Sequence, residues 1–208
     1  MIYLILFCLL AYLLGSIPTS VWVGKWFYNI DIREHGSGNA GATNTLRVLG
    51  AKVALPVFLF DVFKGFFMPF IAHYYYISHF PNINDSYLFP ILIGFMAVIG
   101  HIYPIFAGFR GGKGVATLLG MMLGIATIPS LLSFGVFIIV LFATKYVSVG
   151  SLTAGLLFPI FTYFFVNYTI SLMVFSILSC ILLFYTHRKN IQRLLNGTES
   201  KTTFKKKN

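Results

Sequence analysis

Apolar stretches long enough to cross a bilayer follow one another along almost the whole chain, and they constrain the fold before any motif is considered. Segments in hydrocarbon must satisfy their own backbone polar groups, so each such stretch predicts a helix. At about 20 residues per crossing, the 208 residues have room for at most seven spans with short connections. The apolar runs place these spans at 2–27, 51–76, 88–106, 115–128, 131–144, 151–166 and 170–186, with the short fourth and fifth joined at Pro129. Only 10% of the residues are charged, against roughly a quarter in soluble proteins. The expected fold class is therefore an all-α membrane protein with seven transmembrane helices. No separate soluble domain fits, so 1–208 reads as one transmembrane domain ending in a basic tail, 201–208.

The net charge of +10 would point to nucleic acid in a soluble chain, but here the positions of the charges argue otherwise. All of the Lys and Arg except Lys64 fall in alternate gaps: Lys25, Arg33, Arg47 and Lys52; Arg110 and Lys113; Lys145; and the segment after the last span. By the positive-inside rule these gaps are cytoplasmic, the N-terminus is extracellular and the C-terminus cytoplasmic. The outer loop from His79 to Tyr87, with Pro81, Asn82, Asn84 and Asp85, has no basic residue and reads as turn chemistry. Met1–Leu14 lacks a basic leader and reads as an uncleaved first span. Cys8 and Cys180 lie inside apolar runs and imply neither a disulfide nor a metal site.

Three polar patches share the cytoplasmic side. The first, from Arg33 to Arg47, reads REHGSGNAGATNTLR. Its small residues allow backbone N–H groups to close around an anion, and Arg33 or Arg47 could complete the grip on phosphate oxygens. Candidate ligand-binding residues here are Gly38, Asn39, Gly41, Thr43 and Asn44 beside Ser37. The second patch, Gly108–Thr117, sets Arg110, Gly111, Gly112 and Lys113 just before a helix start, where the dipole favours an anion. It is not a nucleotide-binding P-loop, because Ala107 and Gly114 occupy positions that need glycine and a hydroxyl. The third patch follows the last span. If helix continues there, His187 and Asn190 lie on one face, one turn apart.

Two features lie within spans. Gly15-Ser16-Ile17-Pro18 predicts a kink whose freed backbone groups need neighbours. Asp61 and Lys64 share a helix face and either pair with each other or leave Lys64 facing an anionic ligand. His101, near a span end, reads as a packing residue. The five acids Asp31, Glu34, Asp61, Asp85 and Glu199 are too dispersed to hold divalent ions, so the ligand is expected to be an anion held by cations and N–H groups at lipid-headgroup level.

The stretches GSIPTS from Gly15, SGNAGATN from Ser37, DVFKG from Asp61, FRGGKGVAT from Phe109 and HRKNIQRLLNGTE from His187 resemble the bacterial integral-membrane glycerol-3-phosphate acyltransferases that use acyl phosphate as donor. The resemblance covers essentially the whole chain. It implies seven helices in the bacterial cell membrane and a cytoplasmic active site. It also implies acyl transfer from acyl phosphate to the 1-hydroxyl of glycerol 3-phosphate without coenzyme A, metal or other cofactor. Carried over, the active site comprises Ser37, Arg47, Lys113, His187 and Asn190. Arg47 and Lys113 would hold phosphates, Ser37 and Asn190 would orient reacting groups, and His187 would be base or orienter. Substrates and bilayer are the implied partners, and nucleic acid is not. The rivals are an organophosphate transporter, disfavoured by patches confined to one side, and an acyltransferase drawing on acyl coenzyme A or acyl carrier protein.

Overall fold

The computed structural model describes residues 2–79, 85–166 and 169–202. The expected outer-loop turn at Pro81, Asn82 and Asn84, the connection at Asn167, and Lys205–Lys207 of the tail lie outside the described residues. Among those described, the regular structure is helical: α1 (Ile2–Gly15), α2 (Thr19–Tyr28), α3 (Ala42–Leu49), α4 (Ala51–His79), α5 (Leu88–Ile102), α6 (Val115–Ile125), α7 (Thr127–Thr144), α8 (Val147–Phe165), α9 (Ile170–Thr186) and α10 (Arg188–Leu195). The chain divides into two compact units, Met1–Ile125 and Ala126–Asn208.

In the first unit α4 packs on α1, α5 and α6, and α1 packs on α5. Small residues set these approaches, as expected where lipid removes the hydrophobic drive between helices. A Cβ at Gly65 would collide with the Thr117 backbone and one at Gly120 with the Val62 backbone, so α4 and α6 meet main chain to main chain. Ala11, Met68, Ala72, Ile93 and Ala97 form a buried cluster between α1, α4 and α5. In the second unit α8 packs on α7 and α9. Phe158 of α8 and Phe175 of α9 meet edge to face, ring centroids 5.8 Å apart.

Every expected apolar run is largely helical, but not every one is a span by length. Among the described residues five stretches qualify: 2–28, 51–79, 88–107, 127–144 and 147–165, and α9 with α10 makes a sixth if that bent pair is taken as one. Length and composition thus show five or six of the seven expected spans among the described residues. The exception is α6, whose 11 residues rise only about 16 Å, against about 30 Å of hydrocarbon. The break between α6 and α7 also moves, from Pro129 to Ala126. Proline has no N–H to lose in a helix's first turn, so Pro129 lies inside α7 near its start instead of dividing two helices.

The expected kink in span one is a true break between α1 and α2. Its Ile17 carbonyl accepts the Lys64 ammonium at 2.9 Å and the Thr19 amide at 3.0 Å, so a buried lysine from α4 helps satisfy the backbone at the break. Lys64 in turn lies 2.8 Å from Asp61, and both side chains are almost completely buried.

Candidate active site

In the first unit, the Arg33–Arg47 stretch is half loop and half helix. A 3₁₀ turn at Ile32–Glu34 leads through a loop to α3, which starts after Gly41, so Thr43, Asn44 and Arg47 are helical. Asn44, 1% exposed, ties the loop to this helix. Its Oδ1 accepts from the Ser37 amide at 2.8 Å and the Ser37 hydroxyl at 3.1 Å. Its Nδ2 donates to the carbonyls of Ile32 and His35 at 2.9 and 3.0 Å. Gly36 has φ +60°, and a Cβ there would strike Asn44 Oδ1, so the loop can close only over glycine. The structure thus gives Asn44 the loop's own backbone and Ser37 as partners, and Ser37 is positioned by it.

Arg33 is a tie between two polar patches. Its Nε and Nη2 donate to the two Asp31 carboxylate oxygens at 2.9 and 2.7 Å, and its Nη1 to the Ala107 carbonyl at 2.8 Å. That fork holds the Asp31 carboxyl below its ordinary range, while burial works the other way; Lys25 adds a cation 3.3 Å away. Of the two arginines bracketing the first patch, Arg33 therefore carries the glycine loop, and Arg47 sits on α3 as the remaining candidate.

The second patch runs back beneath α5. The Gly111 and Gly112 amides donate to the carbonyls of Ile102 and His101, each at 3.2 Å. A Cβ at Gly112 would collide with His101 Nε2 and come within 3.0 Å of the Ala40 carbonyl, so the loop bearing Arg110 and Lys113 abuts the loop bearing Ser37 through bare backbone. Gly114, φ +78°, delivers the chain into α6. Gly38, Asn39 and Gly41 line the first loop's return towards α3. Lys64, the last expected ligand-binding residue, makes the ion pair with Asp61 described above.

In the second unit, helix does not continue straight after α9: it turns by 58° into α10, with His187 at the pivot. The one-turn relation expected for His187 and Asn190 survives, because the Asn190 amide donates to the His187 carbonyl at 2.8 Å. His187, 2% exposed, sets Nδ1 2.9 Å from the Leu183 carbonyl. A carbonyl only accepts, so Nδ1 is the donor in this contact, and in the neutral ring the lone pair is on Nε2.

Glu199 is the residue that sequence reasoning passed over, though an isolated acid in a basic segment is a signal for a paired one. Its Oε1 accepts from Asn190 Nδ2 at 2.6 Å and Ser148 Oγ at 2.9 Å, and its Oε2 from Arg193 Nε at 2.7 Å. Burial pushes its pKa up, but the bonds from Arg193, Asn190 and Ser148 prevail and hold it below the usual value. The tail is fastened here too: the Thr202 amide donates to the Lys145 carbonyl at 2.8 Å.

Residues 5–197 match the family model described as glycerol-3-phosphate acyltransferase. The chain is 42% identical to a glycerol-3-phosphate acyltransferase of Fusobacterium nucleatum, covering 95% of this chain and 97% of that one. It is 41% identical to one of Chlorobaculum tepidum, covering 95% and 96%. It is also similar to the crystal structure of PlsY, an integral membrane glycerol 3-phosphate acyltransferase, in its glycerol 3-phosphate form: TM-score 0.87 and 36% identity over 97% of this chain and 96% of that one. For the lysophosphatidic acid form the TM-score is 0.83. The chain therefore belongs to the glycerol-3-phosphate acyltransferase family of integral membrane proteins.

Proposed function

We propose that this protein transfers a fatty acyl group from acyl phosphate to the 1-hydroxyl of glycerol 3-phosphate, giving lysophosphatidate and phosphate. The observation that carries the reading is the likeness, over nearly the whole chain, to PlsY in forms with glycerol 3-phosphate and with lysophosphatidic acid, an acceptor and a product of one reaction. The acceptor hydroxyl oxygen attacks the acyl carbonyl carbon, a tetrahedral oxyanion forms, and its collapse breaks the carbon–oxygen bond to phosphate. The donor is already activated, so the enzyme's work is to hold two anions and steady developing charge.

Arg47 and Lys113 bind phosphate groups, with Arg110 in support, and Gly111 and Gly112, whose amides are taken up by the Ile102 and His101 carbonyls, hold the loop that carries Arg110 and Lys113. Gly38, Asn39, Gly41 and Thr43 shape the other loop, where Ser37 orients a reacting group. His187 accepts the hydroxyl proton at Nε2 or orients the hydroxyl while a substrate phosphate takes the proton. Asn190, steadied by Glu199, donates to the oxyanion or orients the acyl group.

The protein lies in the bacterial cell membrane with this chemistry on the cytoplasmic side and the N-terminus outside. Seven crossings result when the five long spans are joined by α6 and by the bent α9–α10 pair. A short α6 is accommodated by local thinning or by protein-lined depth.

The deciding assay presents the protein, purified in detergent, with acyl phosphate, acyl coenzyme A or acyl carrier protein alongside glycerol 3-phosphate. Turnover with acyl phosphate alone is expected, with intersecting initial-rate lines. Parallel lines with label trapped on Ser37 would replace direct attack by an acyl-enzyme route.

A further inference from the structure

At the end of α5 a buried polar cluster stands between the membrane helices and the glycine loop. Asp61 and Lys64 are each 1% exposed and His101 6%. Asp61 Oδ1 accepts from Lys64 Nζ at 2.8 Å and from Thr19 Oγ1 at 3.1 Å, and faces His101 Nδ1 at 3.7 Å. The opposite edge of the His101 ring meets Gly112, where a Cβ would collide with Nε2, and the His101 carbonyl receives the Gly112 amide. The imidazole is thus wedged between a fixed carboxylate and the residue preceding Lys113, while Gly112 rests against the Ala40 carbonyl of the Ser37 loop.

We infer that His101, oriented by the Asp61–Lys64 pair, is a positioning residue that fixes the Gly111–Lys113 backbone against the Ser37 loop and so places Lys113. Packing alone is a poor reason for this cluster, because apolar residues of similar volume generally fill buried space at least as stably as an ion pair. An imidazole set between carboxylate and main chain instead supplies a rigid spacer of fixed thickness. Arg33 secures the loop at Ala107, and His101 secures it at the end that carries the cation. The inference rests on the proposed role of Lys113 in holding a substrate phosphate.

The test is steady-state kinetics on the purified full chain with both substrates varied. His101→Ala is expected to raise KM about ten-fold for the same substrate that Lys113→Ala impairs, with kcat falling less than about three-fold, as when ground-state and transition-state binding weaken together. His101→Gln, which keeps a polar side chain in the niche, recovers most of that KM. Gly112→Ala pushes on the ring from the loop side and raises the same KM. Combined with His101→Ala it loses the clash with the ring and keeps only the close approach to the Ala40 carbonyl, so the double variant falls short of the product of the single effects. Should His101→Ala fail to fold, His101→Gln takes its place in the cycle, and its slimmer side chain is expected to relieve the Gly112→Ala defect. An unchanged KM in His101→Ala, or effects that multiply in the double variant, overturns the positioning role. If Lys113→Ala binds and turns over both substrates like the parent, the phosphate-holding reading falls and the positioning role falls with it. If Lys113→Ala is impaired and His101→Ala is not, the positioning role alone falls.

Discussion

Glu199 holds three donors at once, and only one of them, Asn190, belongs to the proposed chemistry. Its charge therefore reaches the reaction through the angle of an amide. Glu199→Gln keeps the size and removes the charge, and loss of a charge-assisted bond of about 1.5–3 kcal/mol should lower kcat/KM by about 10- to 100-fold with a reduced melting temperature. A kcat/KM within about two-fold of the parent would show that Asn190 needs no such support. Because the Glu199 pKa is held below its ordinary value of 4.5, its stabilising contribution is complete above that value and disappears as pH falls through the lowered one. Acid melting curves of the parent and Glu199→Gln should converge there. Arg47→Ala and Lys113→Ala should each cost about 2–5 kcal/mol in kcat/KM, the range for removing one partner of a buried charge pair. Near-normal rates at low substrate in both would make them mere interfacial cations.

Among the elements, α4 has the most demanding interior: two prolines, a glycine against α6 and the Asp61–Lys64 pair. Lys64→Ala leaves Asp61 as an uncompensated buried charge and takes the ammonium from the Ile17 carbonyl, so it should destabilise the protein by about 3–5 kcal/mol. Asp61→Leu combined with Lys64→Met should cost less than Lys64→Ala alone; a double variant that is additively worse in detergent unfolding would contradict the pairing argument. The helices themselves were legible because lipid allows little else, and the Asp61–Lys64 spacing offered the pair as one of two readings, the other being a lysine that faces a ligand. What escaped was set by single side chains acting at a distance. Helix α3 hides in a Gly-, Asn- and Thr-rich stretch that reads as loop, and Asn44 closes it through bonds to residues up to 12 positions away. The bend at His187 has no proline or glycine to announce it. Its partners include Glu199, nine residues beyond Asn190.

For the whole molecule, orientation and the status of α6 are one question, because each crossing reverses the side on which later residues lie. Trp22 and Trp26 stack with ring centroids 5.0 Å apart, and Trp26 is largely exposed, which suits an interfacial aromatic pair beside Lys25. Lys25 is therefore expected at the cytoplasmic face. Single cysteines at Lys25, Ser86, Lys145 and Lys189, placed in a Cys8→Ala/Cys180→Ala background, can be probed in intact cells with a membrane-impermeant thiol reagent. If α6 crosses, only the cysteine at Ser86 should be labelled, since an even number of spans then separates Lys25 from both Lys145 and Lys189. If α6 is a re-entrant helix that returns to its own side, the two later positions move outside and are labelled with Ser86, while Lys25 stays protected. That pattern would leave the glycine loop cytoplasmic but put His187 and Asn190 on the other face of the membrane, where they could not act on a substrate held by Lys113. Labelling of Lys25 with protection of Ser86 would invert the assignment altogether. The charge pattern makes the first outcome the expected one: Lys145, Arg188 and Lys189 are cations that the positive-inside rule keeps on the side of Lys25 and Arg110.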